Sequence, residues 1–321
     1  MDCTNKTIGA IGLDSLIEGI SSVYANHDRS RSLWDIWSHA LHHGAAVAEE
    51  IRKHGEVVAI DGKLRQELAD LTLWFFTMLV KLRGPIGSAD PGMPPQDSLV
   101  RISVGPSRLM WNRYPGVCPW CFCLQYPTER DDAANASGPG SCRCDELNIS
   151  AVPKVKMEIR KRAERMRRKA EACRESMPRS LDEWQALIRA IYRSRLTKLS
   201  TTDVTLHLLE EMGEVSDGLI RMYTYSKKDH VEKEIFARQI RLEDELADTL
   251  SWIFSLLECL GKGNASGESI LMSAILWAQY GSNDKRCLFC RHCGDPVCSC
   301  PVRLISDRED VAELRSSIAT G

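Results

Sequence analysis

The sequence predicts an all-α protein assembled from two tandem copies of one helical bundle, and three observations carry that expectation. Apolar residues recur at three- and four-residue steps, the spacing that lines one face of a helix. Landmarks of residues 10–150 return in the same order in residues 178–305. Each copy closes on four cysteines set as two close pairs.

The copies match as follows. "LDSLIEGISSVY" at 13–24 is answered by "LDEWQALIRAIY" at 181–192, and the same shift carries His39 onto His207. "ELADLTLWFF" at 67–76 pairs with "ELADTLSWIF" at 245–254, and "WNRY" at 111–114 with "WAQY" at 277–280. The cysteines Cys118, Cys121, Cys142 and Cys144 end the first copy; Cys287, Cys290, Cys298 and Cys300 end the second. Four landmarks in one order are the mark of a duplication.

In the first copy Trp37, Ala40, Leu41, Gly44, Val47 and Ile51 share a helix face, followed by Leu64, Leu68, Leu71, Phe75 and Leu82 before Gly84-Pro85. The Pro/Gly stretch "PIGSADPGMPPQ" at 85–96 is a loop. "KVKMEIRKRAERMRRKAEA" at 154–172 has nine Lys or Arg against three Glu and predicts one exposed connecting helix. No aromatic residue interleaves its basic ones, so nucleic-acid binding is not favoured. In the second copy Ser-Thr-Thr-Asp at 200–203 can cap a helix carrying Leu208, Leu209, Met212, Val215 and Leu219. The next helix carries Ile235, Leu242, Leu246, Leu250, Ile253 and Leu257 and stops at Gly261.

These elements divide the chain into a bundle that lacks the second copy's acids at 1–96, a helix and cysteine loop at 97–150, and a basic linker at 151–177. An acidic bundle follows at 178–263, then a second helix and cysteine loop at 264–305 and a tail at 306–321. The 321 residues, 43% hydrophobic and 27% charged with a formal net charge of −2, suit a globular protein with no global pull toward polyanions. The run at 71–80 falls short of the about 20 apolar residues that cross a bilayer, and residues 1–10 do not resemble a signal peptide. A cytoplasmic protein without a membrane partner is expected. Of the thirteen cysteines, those grouped in close pairs point to metal rather than disulfides.

Glu210 and Glu214 stand one helical turn apart, with Glu211 three before Glu214; Glu245 and Asp248 are i and i+3 on the following helix. Antiparallel packing of the two helices brings five carboxylates together. Such a cluster repels itself and needs cations to stay ionised. Oxygen ligands without His or Cys suit Mg²⁺ or Mn²⁺, and Mg²⁺ commonly accompanies a phosphate-bearing substrate.

The EExxE pattern of Glu210, Glu211 and Glu214, followed by the ExxD of Glu245 and Asp248, resembles the MazG-like all-α nucleoside triphosphate pyrophosphohydrolases. "YPGVCPWC" in the first copy and "KRCLFC" with "CSC" in the second are similar to cysteine tails of some of its members. The resemblance spans nearly all of each copy. It implies two MazG-like bundles and Mg²⁺-dependent hydrolysis of a nucleoside triphosphate to monophosphate and pyrophosphate. Glu210, Glu211, Glu214, Glu245 and Asp248 would hold the metal, and Glu211 would orient or deprotonate the water.

Forty-one positions separate His207 from Asp248 and 31 separate His39 from Asp70, so the acidic copy carries extra residues around "YTYSKKDHVEKE". Lys227 and Lys228 there, and Arg238 and Arg241 beyond, are candidates to meet substrate phosphates, against the plainer reading of polar surface. Trp252 is a candidate to stack on a base, although Trp74 at the equivalent place favours a core role.

The first copy keeps Glu67 and Asp70 but has His42, His43 and Ala46 in the acidic frame. It reads as a pseudo-catalytic partner for the second, paired within the chain or in a homo-oligomer. A transition-metal site of His39, His43, Glu67 and Asp70 is the sharper alternative. Each cysteine quartet has the thiolate number of a closed structural Zn²⁺ site, with Cys123, His292 and Cys293 as spare ligands and Cys3, Cys173 and Cys259 as plain thiols. The rival to an enzyme is a non-catalytic, zinc-stapled module binding nucleic acid or protein.

Overall fold

The computed structural model describes residues 11–19, 31–54, 62–83, 102–122, 144, 156–224, 232–262 and 269–280. Every regular secondary-structure element among the described residues is a helix. After a helical segment at 13–19 come α1 (Leu33–His54), α2 (Gly62–Arg83), α3 (Pro106–Arg113) and α4 (Lys156–Ala172). A 3₁₀ turn at Arg174–Ser176 leads to α5 (Leu181–Leu196), α6 (Thr201–Thr224), α7 (Glu232–Lys262) and α8 (Met272–Tyr280).

Helix starts follow local chemistry. Ser180 caps α5 by accepting from the Glu183 amide at 3.2 Å, while the Glu183 carboxylate accepts from the Arg179 amide at 2.6 Å. Ser200 caps α6, its hydroxyl accepting from the Asp203 amide at 3.0 Å, as the Ser-Thr-Thr-Asp stretch predicts. Pro106 opens α3, where a missing amide hydrogen costs nothing.

The helices pair as two hairpins, α1 on α2 and α6 on α7, which meet along α1 and α6. The short helices then cross over: α3 packs on α7, and α8 packs on α2. Each half therefore covers the other's second helix. Rather than a separate core in each bundle, one continuous apolar core runs through both halves, from Leu13, Trp37 and Phe75 to Trp184, Leu208 and Phe254. The physical reason is that α2 and α7 are apolar on more faces than one partner can cover; Ala69, Leu71, Phe75, Phe76 and Met78 of α2 are all fully buried.

Gly44 of α1 faces Met212 of α6, and these two positions correspond in the repeat. A Cβ at Gly44 would lie 2.8 Å from the Met212 sulfur, so the pair fits because one partner is small and the other long. The Trp37 indole, on the same seam, donates to Ser216 Oγ at 2.8 Å. Gly44→Ala is expected to be nearly neutral, because the flexible Met212 tip can move and Ala favours the helix. Gly44→Leu should overpack the seam at a cost of about 1–3 kcal/mol, read as a lower denaturant midpoint with an unchanged slope.

The basic helix α4 is docked along one face rather than exposed all round. Met166 and Ala170 are buried, the Trp111 indole donates to the Ala170 carbonyl at 2.8 Å, and Arg167 pairs with Glu243 at 3.4 Å. Arg162 lies over Trp120 and Arg165 over Phe122, at 4.7 and 3.9 Å from the ring centres. Three of the nine basic residues of the run thus meet this chain's own aromatic rings and acids.

Candidate functional site

Because α6 and α7 pack as a hairpin, side chains one turn apart on each face the same gap. Oxygens of Glu211, Glu214 and Glu245 all lie within 4.8 Å of one another, a grouping that can hold a metal ion. The Glu214 and Glu245 carboxyls are hydrogen-bonded to each other. Arg241 donates its Nε to Glu245 at 3.2 Å from a side chain that is 51% exposed. The Trp252 indole donates to Glu211 at 3.3 Å.

Burial pushes Glu211 up to about 8 and Glu245 up to about 9, and the negative charges of Asp248 and Glu214 push both in the same direction. Arg113 opposes the rise at both. Carboxyls so placed hold protons near neutrality unless a cation takes their place.

Asp248 sits beside the three glutamates but is held from elsewhere. Arg113 donates Nε to its Oδ1 at 2.8 Å and Nη2 to its Oδ2 at 2.5 Å, a two-pronged grip. The Tyr114 hydroxyl donates to Oδ1 at 2.6 Å and lies 2.8 Å from Ser251 Oγ. Both residues come from α3 and its C-terminal edge, in the first half of the chain. Arg113 also lies 3.7 Å from Asp244, whose carboxyl burial raises to about 6 against the pull of that guanidinium. Trp120, of the Cys118–Cys121 loop, covers Arg113 with its ring centre 5.3 Å away.

The remaining expected residues are placed differently. Glu210 points outward, its side chain 65% exposed and its carboxylate 3.1 Å from His207. Trp252 is buried, with His207 stacked on it at 4.6 Å and Tyr192 at 6.1 Å, so its ring belongs to the packed interior. Arg238 donates to the Arg221 carbonyl at 3.2 Å, across the hairpin. Lys227 and Lys228 lie outside the described residues.

At the equivalent place in the first half, His43 Nδ1 and Glu67 Oε2 are 2.8 Å apart, where the second half has Glu211 and Glu245. His39 stacks on Trp74 at 4.3 Å as His207 does on Trp252. The scaffold is kept while a mutually repelling acid pair becomes a hydrogen-bonded one. His39, His43, Glu67 and Asp70 are not among the described groupings close enough to hold a metal ion.

The other such grouping is Cys118, Cys121 and Cys144, with the Cys118 and Cys144 sulfurs 3.6 Å apart. The loop is closed by the Phe122 amide donating to the Cys118 carbonyl at 3.0 Å, with φ of 56° at Phe122 and 72° at Gly116. These three thiols can bind a metal. Cys142, Cys287, Cys290, Cys298 and Cys300 lie outside the described residues, as do Cys3, Cys123, His292 and Cys293. Cys173 is half-buried, and Cys259 is buried with its thiol pushed up by desolvation.

Arg113, Tyr114 and Trp120 carry no signal of a site in the sequence beyond one difference. "WNRY" has Arg113 where "WAQY" has Gln279. Among the described residues no helix is long and apolar enough to cross a membrane. Comparisons with protein-family models, with curated proteins and with solved structures found no match for this chain.

Proposed function

We propose that the chain is a Mg²⁺-dependent nucleoside triphosphate pyrophosphohydrolase whose active site is the α6–α7 carboxylate cluster, with the first half as a pseudo-catalytic partner packed against it. The observation that carries this reading is the meeting of Glu211, Glu214 and Glu245 within 4.8 Å, with Asp248 three residues beyond Glu245. Those residues fit a hard divalent cation: every donor is a carboxylate oxygen, and two of the carboxyls are held protonated by burial and mutual repulsion, which a cation would relieve. Bound there, Mg²⁺ supplies charge neutralisation to the phosphates and makes water more acidic.

The chain's own residues have separate tasks. Glu211, raised to about 8 in the metal-free centre and steadied by the Trp252 indole, would be ionised once a cation sits beside it, and is then the acceptor for the proton of the attacking water. Glu214 and Glu245 hold the cation, and Asp248 orients beside them. Water adds across the α–β bridge, releasing nucleoside monophosphate and pyrophosphate. The engagement of Arg162 and Arg165 with Trp120 and Phe122, and of Arg167 with Glu243, favours the hydrolase over a nucleic-acid module, since those charges already have partners within the chain.

The test is a panel of ordinary and modified nucleoside triphosphates with Mg²⁺, products separated by chromatography. At least one should give monophosphate and pyrophosphate; release of diphosphate and phosphate only, or no turnover with Mg²⁺ or Mn²⁺, would overturn the reading.

Cys118, Cys121 and Cys144, with Cys142 as the fourth ligand, are proposed to hold a structural Zn²⁺, as are Cys287, Cys290, Cys298 and Cys300. Cys121→Ser should lower bound zinc by about one equivalent per chain, measured by elemental analysis of the purified protein. Unchanged zinc content would remove the first of these sites.

A further inference from the structure

The hydrolase reading uses the first half only as a packing partner, yet Arg113 of that half reaches the acidic centre of the other. Arg113 and Tyr114 occupy three hydrogen-bonding positions on Asp248 at 2.8, 2.5 and 2.6 Å. The guanidinium is buried, 10% of its side chain being exposed, and so is its partner at 8%. A buried charge on either side would be costly without the other.

The duplication supplies an internal control. The crossing of the short helices puts α3 on α7 and α8 on α2, so each half sends a helix to the other half's second helix. The helix that meets the acidic hairpin carries Arg113; the one that meets the hairpin with His43 and Ala46 carries Gln279 at the corresponding position. Both hairpins keep the buried aspartate, Asp248 and Asp70, but the cation stands at the one that also keeps Glu211 and Glu214, and a neutral side chain at the one where His43 and Ala46 replace them. An arginine needed only for packing α3 would have no reason to follow the charge of the opposite centre.

We propose that Arg113 is a positioning residue lent by the first half to the carboxylate centre of the second: it fixes Asp248 and provides the resident positive charge that keeps this centre folded before a divalent ion binds. Trp120, stacked over Arg113 from the cysteine loop, holds the guanidinium in place. The active half is therefore incomplete without the first. The proposal rests on the α6–α7 cluster being a metal centre, and its test separates the two claims.

The experiment measures thermal midpoints of the full chain, with and without Mn²⁺, for the parent, Arg113→Gln, Arg113→Lys, Asp248→Asn and the double variant R113Q/D248N. Without metal, Arg113→Gln should lower the midpoint by about 5–10 °C, with Arg113→Lys recovering part of it. The double variant should be more stable than Arg113→Gln alone, because the orphaned charge is gone. The Mn²⁺-induced rise in Arg113→Gln should be about twice the parent's, since the freed Asp248 adds to the centre's demand for a cation.

Additive effects in the metal-free cycle would overturn the proposal. Strong coupling with the same Mn²⁺-induced rise in parent and Arg113→Gln would also overturn it, reducing the pair to a structural ion pair. A parent that neither responds to Mn²⁺ nor hydrolyses any triphosphate would overturn the metal-centre reading itself, an outcome visible in the parent before any variant is made. Should Arg113→Gln not fold, the Mn²⁺ comparison is made on Arg113→Lys, whose Mn²⁺-induced rise should exceed the parent's; an equal rise overturns the proposal.

Discussion

Glu245→Gln should lower pyrophosphate release by roughly 10²–10³-fold or more while leaving the protein as stable as the parent, or more stable, in metal-free buffer near pH 8. The two effects have one cause. Glu245 lies within 4.8 Å of Glu211 and Glu214 and is raised to about 9 by burial and by the charges of Asp248 and Glu214. Removing its capacity to ionise takes away a cation ligand and also removes the cost, near pH 8, of protonating on folding a group that is ionised in the unfolded chain. A residue serving only the fold would show the reverse, a loss of stability with turnover following it. Steady-state rates and thermal midpoints on one preparation decide between them. The matched change in the first half, Glu67→Gln, removes the charge beside His43 but no expected cation ligand, so it should leave turnover within a few-fold of the parent.

The second large effect is on stability as a function of pH. Glu211 and Glu245 are raised in the fold to about 8 and about 9, and Asp244 to about 6. Unfolded, such groups titrate near 4, so between there and pH 9 the folded chain binds more protons than the unfolded one. Stability from these groups is fully present below their unfolded values and is lost as pH rises through the folded ones. Metal-free protein should thus lose stability steadily from about pH 5 to about pH 9, each group contributing at most about 1.4 kcal/mol per pH unit. Mg²⁺ or Mn²⁺ should flatten that decline, because it binds the deprotonated carboxylates. Thermal scans across the range with and without Mn²⁺ measure it; a metal-free midpoint that climbs toward pH 9 would contradict the assignment of these shifts. Glu49, held down to about 2 by Arg52 and Lys53, acts only in the acid range below this window.

The helices were legible because their signals are local. Ser200 with Asp203, Ser180 with Glu183, and the apolar stripes around Leu208 and Leu246 each declare a start or a face within one turn of sequence. The acidic frame was legible for the same reason: Glu211 with Glu214 and Glu245 with Asp248 are short-range pairs whose faces follow from helical periodicity. How far each acid belongs to the centre was not. Glu210 shares the motif but turns toward His207 and solvent, a difference of one residue in a helix that rotates by about 100° per step.

What crosses between the halves was hidden. Arg113 and Asp248 are 135 positions apart, and their contact depends on α3 leaving its own hairpin for the other, which no local pattern encodes. The same is true of Gly44 against Met212, two corresponding positions that meet only because the hairpins pack along α1 and α6. The repeat did hold the relevant clue. Differences between copies, Arg113 against Gln279 and His43 against Glu211, mark where the two centres diverged in charge, whereas the landmarks they share mark the scaffold.

The most direct test of the account is a Mn²⁺ titration of the full chain at pH 8, followed by electron paramagnetic resonance of the free ion. The account predicts saturable binding that is lost in Glu214→Gln and unaffected by Glu67→Gln in the first half. Absence of binding in the parent, or binding that survives Glu214→Gln unchanged, would contradict the claim that Glu211, Glu214 and Glu245 form a divalent-metal centre.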